Sequence, residues 1–142
     1  MDPFRLRVLS YNIHGRAHRL SGRYLHRIAR AILRAEPDVV GLQEVHRGAW
    51  VSRGEDQAAI LAELTGLHVR FGRSFGQSFD GKEEDYGNAV LTRGEILASE
   101  VVPLAGPGEP RTLLHARIAF PGPAPGPTLP TLPTVPEIDF FV

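Results

Sequence analysis

Seven of the chain's twelve prolines fall between Pro121 and Pro136, and that concentration divides the chain. In the run Pro121-Gly-Pro-Ala-Pro-Gly-Pro127 every second residue lacks an amide donor and has φ fixed. Such a run admits neither a helix nor a central strand. Residues 1–120 are therefore expected to fold, and residues 121–136 to form an extended Pro/Gly-rich segment. Beyond it, Ile138-Asp139-Phe140-Phe141-Val142 is apolar again, so 137–142 reads as a strand that stops abruptly. No internal repeat is visible.

The first 120 residues alternate in character. Arg5–Ile13 reads as a strand, with Leu6 and Val8 on one face and Leu9, Tyr11 and Ile13 on the other. Gly22–Ala35 reads as an amphipathic helix, its Leu25, Ile28, Ala29, Ile32 and Leu33 at three- and four-residue spacing, stopped by Pro37. Asp38–Glu44 is apolar through Val39, Val40 and Leu42, as a buried strand is. A second helix is expected over Glu55–Thr65, closed by Gly66. Leu67–Phe71, Tyr86–Thr92, Ile96–Leu104 and Thr112–Phe120 read as strands, and the glycine-rich, acidic Gly72–Asp85 as a loop. The pattern predicts a mixed α/β (α+β) layered domain.

Composition narrows the function. Sixteen basic and sixteen acidic residues cancel, which argues against strong non-specific nucleic-acid binding. Eight arginines and one acid lie in residues 1–34, a bias that suits phosphate contacts and equally a solvated face. No cysteine is present, so disulfides, thiolate metal sites and a cysteine nucleophile are excluded. No run approaches the roughly 18 apolar residues of a membrane span. The start, Met1-Asp2-Pro3-Phe4-Arg5, has no secretory pattern, so the cytoplasm is the expected compartment.

Two strands end on polar residues: Leu9-Ser10-Tyr11-Asn12-Ile13-His14-Gly15, and Pro37-Asp38-Val39-Val40-Gly41-Leu42-Gln43-Glu44-Val45. If the strands are neighbours, Asn12 and Glu44 meet at one sheet edge. A carboxylate and an amide oxygen make a hard site suited to Mg²⁺ or Mn²⁺, which keep several waters for a substrate phosphate.

These two segments, followed by Tyr86-Gly87-Asn88-Ala89-Val90-Leu91-Thr92-Arg93, resemble the endonuclease/exonuclease/phosphatase superfamily of deoxyribonuclease I-like proteins. The resemblance covers about residues 5–120, and the order of three motifs makes it specific. It implies part of a four-layer α/β/β/α sandwich and Mg²⁺- or Mn²⁺-dependent hydrolysis of phosphoesters, carried by a small molecule, a lipid head group or a nucleic acid. It implies Glu44 as metal ligand, Asn12 as metal or phosphate neighbour, and both as catalytic residues. Tyr86, Asn88 and Arg111 would lie on the substrate side. His14 and His46 flank the pair and either touch phosphate or are ordinary surface residues. Arg93 and Arg111 are either phosphate contacts or exposed arginines; Tyr86 and Asn88 are either substrate or packing residues. The acidic cluster Asp80, Glu83, Glu84 and Asp85 is either a cation site or, the reading preferred, a solvated loop, and Asp139 reads as structural.

The family's Thr-His-Leu, Gly-Asp-x-Asn and Ser-Asp-His motifs are absent from these 142 residues, and His115, in Leu114-His115-Ala116, does not replace the first. The tail, Thr128-Leu129-Pro130-Thr131 and Pro136 to Val142, resembles the family segment between the last two motifs. The chain thus reads as the N-terminal half of a family domain plus a short piece of its C-terminal part. It is expected to be a weak or inactive phosphoesterase, and marginally stable or oligomeric through uncovered sheet edges. The alternatives are a non-catalytic binding module, using Pro-x-x-Pro spacings at 130–136, or the product of a truncated or frameshifted gene.

Overall fold

The computed structural model describes residues 5–15, 23–49, 52–79, 82–121 and 136–142. The Pro/Gly-rich segment between Pro121 and Pro136, its Pro-x-x-Pro spacings and Asp80 lie outside the described residues. Nine elements follow in order: β1 (Val8–Asn12), α1 (Tyr24–Ala35), β2 (Val39–Arg47), α2 (Gln57–Thr65), β3 (His68–Phe79), β4 (Lys82–Thr92), β5 (Glu95–Leu104), β6 (Arg111–Ala119) and β7 (Glu137–Phe141).

The strands form two sheets, one ordered β1-β2-β4-β3 and the other β5-β6-β7. Strand β1 runs parallel to β2, from Val8 opposite Val39 to Asn12 opposite Gln43, with α1 as the crossover that a parallel pair requires. All other pairings are antiparallel. Strand β2 lies inside its sheet, with the helices against one face and the second sheet against the other. That is why Val39 to Leu42 read as an unbroken apolar run rather than an alternating one.

Alternation along β2 and β4 separates two cores. Val40, Leu42, Ala89 and Leu91 face the helices, where they pack with Leu25, Ile28, Ile32 and Leu61. Val39 and Val90 face the second sheet, where they meet Leu114, Ala116, Ile118 and Phe120. Leu9 and Tyr11 join the helical side and Leu6 the inter-sheet side, while Val8, expected to share Leu6's face, is about half exposed. The described layers are therefore helices, sheet, sheet. No described helix covers the outer face of β5-β6-β7.

Two expectations need correction. Gly72–Asp85 is not a loop: β3 continues to Phe79 and pairs with β4, from Gly72 opposite Asn88 to Phe79 opposite Lys82. Gly87 on β4 permits the close approach of the two backbones, since a Cβ there would lie 1.9 Å from the Gly72 carbonyl oxygen. Asp85 is correspondingly not solvated but buried on β4. Strand β2 also runs past its expected end at Glu44 to Arg47, through a bulge between Leu42 and Val45 that breaks the apolar alternation.

Candidate active site at the β1–β2 edge

Parallel pairing brings the ends of β1 and β2 together. Asn12 Nδ2 donates to Glu44 Oε1 at 2.9 Å, and the His14 amide donates to Asn12 Oδ1 at 2.9 Å. His14 Nδ1 lies 3.1 Å from Glu44 Oε2. These bonds link Asn12 and His14 to each other and to one oxygen each of the Glu44 carboxylate.

Backbone shape aims the carboxylate. Leu42 and Val45 both face the helical core, and the extra residue between them turns Glu44 out of the ladder. Glu44 has φ of 59° and His14 φ of 45°, left-handed values that non-glycine residues adopt at a cost of roughly 1–3 kcal/mol each when the surroundings enforce them. Tyr24 on α1 braces the same turn by donating its hydroxyl to the Ile13 carbonyl. Burial raises the pKa of that phenol.

The hydrogen bond from Asn12 holds the Glu44 carboxyl below the usual glutamate range, and His14 adds to the effect against a smaller opposing cost of burial. Glu44 is therefore ionised at neutral pH. A lowered folded-state pKa stabilises the fold fully above the unfolded-state value and is lost as pH falls through the folded one. The difference in unfolding free energy between wild type and Glu44→Gln is accordingly expected to be constant above about pH 5.5 and to shrink as the pH drops below about 4.3. Urea titrations from pH 7 to 3 measure it, and a difference that grows on acidification would reverse the sign.

The other expected residues divide. Tyr86 lies opposite His46 in the β2–β4 ladder, two residues past Glu44, and its ring sits 5.0 Å from those of both His46 and Phe75. His46 is buried, so it is a packing residue rather than the surface histidine that was one of its two readings. Asn88 faces the second sheet and donates to the Thr112 carbonyl at 3.4 Å, bridging the sheets beside the start of β6. Arg111 opens that strand, largely exposed, 3.9 Å from Glu109. Arg93 lies at the opposite end: its amide donates to the carbonyl of Asp38, which precedes β2, whereas Glu44 is near that strand's far end.

Two clusters were not legible in the sequence. Asp85 takes the guanidinium groups of Arg47 and Arg73, with Nε–oxygen distances of 3.0 and 2.7 Å, and Arg47 also stacks over Phe71 at 4.7 Å. These residues are 12 to 38 positions apart and meet only through strand pairing. On β6 and β7, His115 Nε2 lies 2.6 Å from Asp139 Oδ1, and the His115 ring stacks on Phe141 at 4.7 Å. The bond from His115 lowers the Asp139 pKa, with Arg117 contributing. Asp139 is thus bound to a histidine, though not to one of a family motif.

Among the described residues, no group of three or more His, Asp or Glu side chains is arranged to hold a metal ion. The donor set is one ionised carboxylate, with the Asn12 amide oxygen already accepting from His14. A carboxylate has about four lone-pair positions, and Glu44 uses one on each oxygen. This fits a largely hydrated Mg²⁺ or Mn²⁺ held through one protein oxygen, not a closed protein cage.

The sequence matches the model of the Endonuclease/Exonuclease/phosphatase family over residues 9–138. The solved structure of an endonuclease/exonuclease/phosphatase from Beutenbergia cavernae DSM 12333 is 33% identical with a TM-score of 0.64, the match covering 82% of this chain and 35% of that one. An endonuclease/exonuclease/phosphatase family protein from Leptotrichia buccalis C-1013-b is 20% identical with a TM-score of 0.62, covering 96% and 52%. Truncated TDP2 from Caenorhabditis elegans, at 21% identity and a TM-score of 0.51 over 80% and 40%, shares the fold. The chain spans about a third to a half of the length of these structures. No curated protein matches it.

Proposed function

The chain belongs to the endonuclease/exonuclease/phosphatase family, and from that premise we propose that the β1–β2 edge is the metal-binding part of a phosphoester-hydrolysing centre. The observation that carries this is the ionised Glu44 carboxylate, turned out of β2 at a bulge and restrained on both oxygens by Asn12 and His14. A strained backbone position is costly and persists where the surrounding structure enforces it, which active sites commonly do.

Glu44 would hold a Mg²⁺ or Mn²⁺ there, and the ion would supply electrostatic polarisation of a phosphoryl oxygen. Asn12 fixes the rotamer of Glu44 through its amide N–H, and His14 holds the second carboxylate oxygen. Tyr86, Asn88 and Arg111 are assigned to the substrate side, and the exposure of Arg111 supports a role as donor to a phosphate oxygen. Titration of Mn²⁺ into the wild-type chain and Glu44→Gln tests the assignment: Glu44-dependent binding supports it, and equal binding overturns it.

Turnover by this chain alone is expected to be weak. These 142 residues hold no Thr-His-Leu, Gly-Asp-x-Asn or Ser-Asp-His. Loss of a general base costs roughly 10²–10⁴ in rate. Loss of a group that stabilises developing charge costs about 10²–10³. Residues that act as a unit do not add, but such losses together leave little above background. With purified chain, Mn²⁺ and an activated aryl phosphodiester, hydrolysis is expected at the buffer rate. Metal-dependent turnover abolished by Glu44→Gln would contradict this.

A further inference from the structure

Gln57 is the first residue of α2 and is fully buried, although glutamine is ordinarily a surface residue. Asp56 already caps the helix by accepting from the Ala59 amide, so Gln57 is not needed for that purpose. Its amide instead spans two other segments. Oε1 accepts from the His46 backbone N–H at 2.9 Å, and Nε2 donates to the Gly15 carbonyl at 3.0 Å.

Those two backbone groups lie on the segments that carry the candidate site. Gly15 directly follows His14, and His46 is two residues past Glu44. Both His14 and Glu44 have left-handed backbones, which are uncommon for non-glycine residues. The segments converge with no spare room. A Cβ on Gly15 would lie 2.4 Å from the Glu44 carbonyl oxygen, 2.5 Å from His46 Cδ2 and 2.6 Å from Gln57 Oε1. The helix start is tied down as well, because Gly48 N–H donates to the Glu55 carbonyl at 3.1 Å.

We infer that Gln57 is a positioning residue: its side-chain amide cross-links the turn after β1 to β2 just past its bulge, and so holds Glu44 against Asn12 and His14. The inference rests on the assignment of Glu44 as the metal ligand. A buried amide with one donor and one acceptor satisfied across two separate segments is costly to break, because each lost partner leaves a backbone group buried without its bond. The same coupling transmits a shift at Gln57 to a carboxylate it does not touch.

The test uses Gln57→Met in the full chain, which keeps the volume and removes both bonds. Ile118→Val, in the inter-sheet core, controls for general loss of stability. Two quantities are read: the affinity for Mn²⁺ alone, and the amide chemical shift of His14, which bonds Asn12 and not Gln57. Outer-shell partners of metal ligands are worth roughly 10–100-fold in affinity. Gln57→Met is therefore expected to weaken Mn²⁺ binding at least tenfold and to move the His14 shift, while Ile118→Val does neither. Wild-type affinity and an unchanged His14 shift in Gln57→Met would overturn the inference and leave the Glu44 assignment standing. If the wild-type chain shows no Glu44-dependent Mn²⁺ binding, the Glu44 assignment fails, and the His14 shift alone decides the cross-link: movement supports it, constancy overturns it.

Discussion

Glu44→Gln is expected to weaken Mn²⁺ binding by more than about 100-fold, beyond the range set by loss of an outer-shell partner. The reason is the donor count: Glu44 is the single carboxylate of the cluster, and its partners Asn12 and His14 bring no second anion. A neutral amide in its place keeps an acceptor for Asn12 but removes the charge that holds a hydrated dication. The side chain is about one-third exposed, so the fold loses little. Surface-like substitutions of this kind stay within roughly 0.5 kcal/mol. Isothermal titration with Mn²⁺, paired with thermal unfolding, separates the two effects. Retained affinity would remove Glu44 from the site. A collapse in Tm together with affinity would make its role structural instead.

Leu114→Ala carries the largest expected effect on stability. Leu114 is fully buried at the centre of β6, facing the first sheet with Ala116 and Ile118. It fills the room left by Gly72, where a Cβ would already be 3.0 Å from it. Its backbone exchanges both hydrogen bonds with Val142, at 2.7 and 3.0 Å, so the same residue ties β7's end to the sheet. Truncating a buried leucine costs roughly 2–5 kcal/mol, out of a total of about 5–15 kcal/mol for a typical domain. The three-stranded sheet buries one face against β1-β2-β4-β3, and no described helix compensates on the other. A fall in Tm on the order of 10 °C is expected. An unchanged Tm would show that the inter-sheet contact contributes little to the fold.

Sequence and structure agree best where local pattern decides. The three-four spacing of Leu25, Ile28, Ala29, Ile32 and Leu33 marks a helix with one buried face, and α1 buries the first four while Leu33 is about half exposed. The apolar run Val39 to Leu42 marks a strand buried on both sides, and β2 is central. They part where the determinant is a partner strand. Gly72 and Gly76 look like loop residues in isolation, yet Gly72 makes room for Leu114 of the second sheet and Gly76 for the Arg73–Asp85 pair. Asp85 reads as one more solvated acid until strand pairing sets it between Arg47 and Arg73. Gln57 gives no sequence signal at all, because its two partners are backbone groups 11 and 42 residues away.

The sequence by itself determined the helices, most of the strands and the pairing of Asn12 with Glu44, because spacing and strand-end chemistry are local and the family motifs occur in order. Only the tertiary structure decided how that pair is held. The left-handed turns at His14 and Glu44 and the bulge that aims the carboxylate exist through contacts between segments remote in the chain, as does the buried amide beneath them. Backbone strain of this kind is set by the surroundings rather than by the residue that bears it.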